Sequence, residues 1–366
     1  MRKICYLLLV LLCFSCSKNE EEQQHVEKSL SVALFPYLES MDKAQSIIRD
    51  IWDSKHTGWT LKFVDWDCYI DDPTSEVDVF FIDCLFEEHF KSRGMISDIS
   101  ISDISNTSDY YGCFNLKGTC TGIPVFLCQD VLIYPSSDTG MGKVTNTKSI
   151  ADYVGNGNVW TLTGGNMDGS YLRAYADIYG FDGMFHSTDI DENILAQIAP
   201  YLELGGDKAA LWHCQETADA FIKGEGRAYV GFFESLSQLQ GYPEPLSVTN
   251  FSIAGNGRSN YFYADKACIN SSVKDSDKRT AALLLANILG GEEFLERYIA
   301  NDGKCLFYIP ARHSVCQKLE QTQPVYHTID SLAAAPSATI LYGDSDFKEY
   351  DLKILSTMQE YINNPK

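Results

Sequence analysis

Leu30 to Leu34 is an apolar-rich run that predicts a buried strand, and Phe35-Pro36-Tyr37 leads the chain out of it. Ser40 then stands where a helix would be capped. Ala44, Ile47, Ile48, Ile51 and Trp52 fall on one face of that helix, and Gly58 follows its end. Leu61 and Phe63 predict a second strand, and Val77 to Ile82 a third that closes on Asp83. Phe86, Phe90 and Gly94 mark a short helix and its stop. This βαβ rhythm predicts an α/β layer structure.

Gly122 to Tyr134 is an apolar extended stretch in which Val125, Leu127, Val131 and Ile133 nearly alternate. It reads as a strand pair or as one long strand bent near Gln129 and Asp130. Gly112 to Gly122, with Lys117-Gly118 at its centre, predicts a hairpin leading into it. After Pro135 the pattern restarts. A helix is expected over Ser149 to Val154, a strand over Val159 to Thr163, a glycine-rich turn from Gly164 to Ser170 and a helix from Tyr171 to Tyr179. Ile194, Ile198 and Leu202 give a further helix and Thr217 to Ile222 another, before a strand from Gly226 to Phe233 that ends on Glu234. Tyr261 to Asn270 is extended and crosses back to the first lobe before the helix Lys278 to Leu289. The tail carries a helix near Phe347 to Ile362, which is expected to pack rather than to take part in chemistry. Two lobes are therefore predicted, one over 29–134 plus about 261–310 and the other over 135–260 plus about 311–366.

Length and composition support this division, since 366 residues at 45% apolar content suffice for two cores. Residues 1–15 begin with Arg2 and Lys3, run through Leu7 to Leu12 and close on a small residue before Cys16, the pattern of an export signal followed by an acylated cysteine. Phe14 departs from the small or β-branched residue usual in a lipoprotein box. Residues 16–28 are polar, with Glu20-Glu21-Glu22, and read as a flexible tether. The expectation is an exported lipoprotein on the periplasmic or cell-surface face of a bacterial membrane, a monomer touching that membrane only through lipid. Losing Arg2 and Lys3 moves the formal charge from -21 to about -23, which argues against nucleic acid and anionic membranes and favours neutral or cationic ligands.

Candidate chemistry gathers where the predicted strands end, because ligands of open α/β sheets bind beyond the carboxyl ends of the strands. Tyr37, Tyr69 and Asp83 lie there and suggest a ligand rim. Of twelve cysteines, Cys5 and Cys13 leave with the signal and Cys16 is the lipidation site, so nine remain and an odd thiol must stay unpaired in the molecule. Cys128 is the choice for it. A thiol in an apolar strand is either a small buried hydrophobe or a nucleophile, and the second reading requires a base nearby. Glu234, at another strand exit, is the carboxylate that would serve if the fold brings the two together. The glycine-rich turn has no GKS/T or GxGxxG pattern and reads as a tight ligand-facing turn. No metal or other cofactor is called for, as beyond Cys13-Phe14-Ser15-Cys16 at the end of the leader the sequence has no CxxC or HxxxH cluster.

Assembled in order, these stretches resemble the bacterial thiaminase I family, the thiamine pyridinylases, whose fold is that of two-lobed periplasmic solute-binding proteins. The resemblance runs through VALFPY (Val32–Tyr37), FVDWDCY (Phe63–Tyr69), VDVFFIDCLF (Val77–Phe86), GIPVFLC (Gly122–Cys128), GRAYVGFFES (Gly226–Ser235), FYAD (Phe262–Asp265) and YIPARH (Tyr308–His313). It implies a two-lobed α/β fold of the type II binding-protein kind with a cleft between the lobes. It also implies Cys128 as nucleophile, Glu234 as its base, Asp83 and Asp265 as carboxylates holding an aminopyrimidine, and Tyr37, Tyr69 and Tyr263 as aromatic lining. Phe35 and Phe232 stand where the family carries tyrosines. The implied reaction displaces the thiazole of thiamine from the pyrimidine methylene by a small amine or thiol, through a covalent cysteine intermediate. The principal rival is a lipoprotein that binds thiamine or a pyrimidine precursor for a transporter, which would have no use for a thiol facing a carboxylate. A carbohydrate-binding lipoprotein would suit the many aromatics but leaves Cys128 and Glu234 idle.

Overall fold

The computed structural model describes residues 28–162, 167–210, 214–300 and 303–363. The expected leader, the acylated Cys16, the tether up to Glu27 and Gly164-Gly165-Asn166 of the glycine-rich turn lie outside the described residues. Among the described residues the thirteen strands are β1 (Ser29–Ala33), β2 (Thr60–Phe63), β3 (Val79–Asp83), β4 (Ile99–Ser100), β5 (Thr119–Cys120), β6 (Gly122–Cys128), β7 (Asp130–Pro135), β8 (Val159–Trp160), β9 (Ala228–Phe232), β10 (Leu246–Thr249), β11 (Tyr261–Ile269), β12 (Ile309–Pro310) and β13 (Thr339–Ile340).

The first sheet has the order β12-β6-β11-β3-β1-β2, with β13 added alongside β11. β1 pairs in parallel with both β2 and β3, as the βαβ pattern requires, while β11 runs antiparallel to β3 and β6. The helix Met41–Ser54 buries Ala44, Ile47, Ile48, Ile51 and Trp52, the face read from its period, against the helices Ser276–Leu289 and Glu292–Ile299. Its Ser40 is the N-cap by position but sits in the left-handed region and makes no side-chain cap bond. The second sheet has the order β10-β7-β9-β8. Phe80, Phe81, Phe86, Phe90 and Trp52 are almost wholly buried, each worth roughly 1.5–3 kcal/mol of burial. Cores of that size leave no need for covalent staples, and the nine described cysteines are all free thiols.

The lobe boundaries differ from the expectation at two places. β7 belongs to the second sheet, so the chain changes lobes at Gln129 rather than after Tyr134. Gln129 is buried at that crossing, where its side-chain amide donates to Asn260 Oδ1 at 3.0 Å and its carbonyl accepts from the Phe233 N–H at 3.1 Å. The tail divides as well. β13 joins the first sheet through β11, and the helix His313–Glu320 packs on the helices Glu292–Ile299 and Tyr326–Ala334. The helix Phe347–Asn363 packs along the helix Met167–Tyr179 of the second lobe while Phe347 also meets Phe86 of the first, and the tail reaches the second lobe as well where Gly343 bridges Phe185 and Asp344 accepts from the Ser187 N–H at 2.7 Å. The expected hairpin over Gly112 to Gly122 is instead a short 3-10 turn, Gly112–Phe114, followed by β5, which pairs with the distant β4. Among the described residues no helix is long and apolar enough to cross a membrane.

Candidate active site

The register of the first sheet builds one wall of the site. Tyr263 lies opposite Cys128, and Asp265 is flanked by Phe126 on β6 and Asp83 on β3. Side chains alternate across a sheet with period two, so Phe126, Cys128, Tyr263, Asp265 and Asp83 share one face at the carboxyl ends of β3 and β6. They open onto a cavity of about 370 Å³ between the lobes. All seven residues expected at the site line it: Tyr37, Tyr69, Asp83, Cys128, Glu234, Tyr263 and Asp265.

Glu234 comes from the other lobe, in the 3-10 turn Phe233–Ser237 that follows β9. The Cys128 thiol donates to its Oε1 at 3.4 Å, with Oε2 at 3.8 Å. Burial pushes the Glu234 carboxyl up to about 7, against the pull of its own backbone N–H and of the thiol, and the charge of Asp130 adds to the rise. Burial also pushes the Cys128 thiol well above its ordinary range, and the negative charges of Glu234, Asp130 and Asp265 push it further. The resting pair is therefore a neutral thiol beside a carboxyl that titrates near neutrality. Thiolate forms only by handing its proton to Glu234, and a cation brought close would favour that transfer.

Asp83 and Asp265 face each other across two strands and are held in different states. Asp83 accepts from the Tyr69 hydroxyl at 2.8 Å and from the Leu85 N–H at 2.8 Å, which hold down a carboxyl that burial raises. Asp265 is raised well above the carboxylate range by burial first, then by the charges of Asp83 and Glu234. Asp83, steadied as an acceptor by its two donors, beside Asp265, the more strongly raised of the two, suits a paired acceptor and donor, the complement of an aminopyrimidine edge. Phe35, Tyr37 and Tyr69 form an edge-to-face trio with centroids 5.6 to 6.1 Å apart. Tyr37 is 41% exposed and belongs to the rim, whereas Tyr263 is buried, its hydroxyl donating to the Gly169 carbonyl at 3.2 Å. Phe232 stands edge-on to Tyr263 at 6.2 Å.

Several lining residues escaped the sequence reading. Asp168 sits at the end of the glycine-rich turn, in the first turn of the helix Met167–Tyr179. Lys348, Asp351, Leu352 and Leu355 line the cavity from the tail helix, which was expected only to pack. Phe347, Tyr350, Ile354 and Met358 do pack, and the cavity-lining four repeat at i, i+3, i+4 and i+7 on the adjoining face. That second stripe was the available signal.

No protein-family model matches the chain. It is 26% identical over 362 residues to Thiaminase-1 of Paenibacillus thiaminolyticus, a match spanning 90% of this chain and 87% of that protein. Clostridium botulinum thiaminase I in complex with thiamin has the same fold with a TM-score of 0.84 at 25% identity, covering 92% of this chain and 100% of that one. The maltose-maltodextrin binding protein of Alicyclobacillus acidocaldarius superposes with a TM-score of 0.62 at 16% identity over 92% of this chain and 95% of its own. The chain thus has the two-lobed fold of periplasmic solute-binding proteins and is similar, over nine-tenths of its length, to thiaminase I.

Proposed function

We propose that the chain is a thiamine pyridinylase, transferring the aminopyrimidinylmethyl group of thiamine to a small amine or thiol. The observation that carries this reading is the Cys128 thiol 3.4 Å from a Glu234 carboxyl that titrates near neutrality, in the cavity that also holds Asp83 and Asp265. Asp83 accepts from the exocyclic amino group and protonated Asp265 donates to a ring nitrogen, which orients the pyrimidine over Cys128. Glu234 takes the thiol proton and the sulfur adds to the pyrimidine ring. The methylene–thiazolium bond then breaks, its electron pair leaving with the now neutral thiazole. The incoming amine or thiol bonds to the methylene carbon and gives up a proton, and the carbon–sulfur bond to Cys128 breaks as the ring is restored. Glu234 returns its proton to the sulfur, so one proton is released per turnover.

A transport lipoprotein that binds thiamine is the alternative. It accounts for the carboxylates and rings but not for the thiol facing a base. Incubating purified protein with thiamine and a small amine separates the two: the enzyme yields free thiazole and the pyrimidinylmethyl amine by mass spectrometry, and the binder returns thiamine intact. The apolar run before Cys16 supports export and acylation at that residue, with the enzyme tethered as a monomer to the periplasmic or outer face of a membrane. Cys16→Ser should release the protein from the membrane fraction, and its retention there would contradict the anchor.

A further inference from the structure

The pair that carries the chemistry is split between the lobes, with Cys128 at the end of β6 and Glu234 in the 3-10 turn Phe233–Ser237 of the second lobe. In a 3-10 helix side chains three residues apart eclipse, so Glu234 and Ser237 point the same way. Glu234 meets the Cys128 thiol at 3.4 Å. Ser237 is buried, and its hydroxyl donates to Oε2 of Glu39 at 3.0 Å. Glu39 belongs to the first lobe, in the loop that leaves β1 and carries Tyr37 to the cavity rim. That loop is pinned by two tyrosines: the Glu39 N–H donates to the Tyr308 hydroxyl at 2.9 Å, and the Tyr298 hydroxyl donates to the Glu39 carbonyl. The other carboxylate oxygen of Glu39, Oε1, accepts from the Lys304 ammonium at 2.6 Å. Ser40, next in the chain, takes a left-handed backbone at φ 59° and makes no side-chain cap bond, a conformation that a serine adopts at a cost.

An ion pair as open as that of Glu39 with Lys304, whose side chains are 23% and 48% exposed, adds little to stability. Its effect here is to fix the carboxylate so that the second oxygen faces the other lobe. The first lobe then grips the turn at two side chains, Glu234 through the thiol and Ser237 through the carboxylate. The start of the turn is held by backbone, where the Phe233 N–H donates to the Gln129 carbonyl at 3.1 Å, and Glu39 holds its end. We propose that Glu39 is a positioning residue: through Ser237 it latches the turn that carries Glu234 to the first lobe, and so keeps the base within reach of the Cys128 proton. This rests on the thiamine pyridinylase reading of the cavity. Neither Glu39 nor Ser237 lines that cavity, so the latch acts through the base and leaves the hold on the pyrimidine to Asp83 and Asp265.

Initial rates of pyrimidinylmethyl amine formation from thiamine and a small amine test this in two backgrounds. With Glu234 in place, Ser237→Ala and Glu39→Ala should each lower kcat about tenfold or more, since a misplacement of about 1 Å can cost about 100-fold. Combined, they should cost no more than the larger single loss, because both break one contact. The Kd of thiamine, measured by titration calorimetry with each variant placed in Cys128→Ser protein, should move by less than about twofold, as expected of a group that acts on the chemical step and not on binding. In Glu234→Gln protein there is no base to place, and Ser237→Ala should cost nothing further. Should Glu39→Ala fail to fold, Ser237→Ala, which removes a single oxygen atom, decides alone. A Ser237→Ala enzyme with wild-type kcat overturns the latch. A loss of undiminished size in the Glu234→Gln background overturns it too, because it marks a purely structural role, and so does a loss carried by Kd with kcat intact. Wild-type protein that binds thiamine and returns it unchanged overturns the pyridinylase reading, and the latch with it.

Discussion

Replacing Glu234 with glutamine removes one function and little else, because the amide keeps the side chain's shape and still accepts a hydrogen bond from the thiol 3.4 Å away. It cannot take the proton. The Cys128 thiol lies well above its ordinary value, raised by burial and then by the charges around it. So raised a thiol stays neutral near pH 7 unless a base takes its proton, and the variant has none. The usual worth of a positioned base sets the expected loss at about 10²- to 10⁴-fold. Removing the Glu234 charge also lowers the thiol's pKa somewhat, which sets the expected loss towards the lower end of the range. The pH profile carries the sharper signature. Wild-type kcat/KM should rise with pH through about 7, as Glu234 ionises and becomes able to accept the proton. In Glu234→Gln that limb should disappear and activity should climb instead into the alkaline range. The assay is initial-rate formation of the pyrimidinylmethyl product from thiamine and a small amine at a series of pH values. A variant that keeps wild-type activity within a few-fold, or keeps the limb near 7, would refute the assignment of Glu234 as base.

Tyr69→Phe deletes the hydroxyl that donates to Asp83 at 2.8 Å and should raise KM for thiamine by about tenfold or more, the worth of a hydrogen bond to a charged group, with a smaller change in kcat. An unchanged KM would count against Asp83 as the ionised pyrimidine anchor. Arg173→Met removes the guanidinium that meets Asp130 at 2.9 Å, where both side chains are buried. Denaturant unfolding should show a loss of about 3–5 kcal/mol, and a loss under about 1 kcal/mol would contradict the pairing. Glu234 carries a raised pKa in the folded state, so its contribution to stability is present below its unfolded value of 4.5 and is lost as pH rises through about 7. That window corresponds to about 3 kcal/mol, and Glu234→Gln should flatten stability across it in pH-dependent unfolding curves. A variant that keeps the wild-type slope would place the titration elsewhere.

The strands that end in chemistry were legible because each is a short apolar run stopped by a polar side chain. Asp83 closes β3, Cys128 closes β6 and Glu234 follows β9, and the rule that ligands bind beyond strand ends brings them to one edge. The change of sheet at Gln129 was not legible. The polar Gln129-Asp130 step marks a bend between two strand segments but not that the second joins another sheet, which is decided by partners far away in sequence, Asn260 and Phe233. The same holds for the tail, whose place in the first lobe is set by a two-residue pairing of Tyr261–Phe262 with Thr339–Ile340. Asp351 was hidden for another reason. A helix with one strong buried stripe at Phe347, Tyr350, Ile354 and Met358 reads as packing, and only the neighbouring cavity gives its second stripe a meaning. The protonation of the site was equally out of reach, since the rise of the Cys128 and Asp265 side chains comes from burial among carboxylates that meet only in three dimensions.

The covalent step at Cys128 is the central claim, and peptide mapping tests it most directly. Protein treated with a pyrimidine that carries a leaving group on its methylene but reacts slowly in the second step should retain the mass of the pyrimidinylmethyl group. That mass should sit on the peptide containing Cys128 in wild type and be absent in Cys128→Ser. An adduct on one of the other eight described thiols, or thiamine turnover at the wild-type rate by Cys128→Ser, would contradict the mechanism.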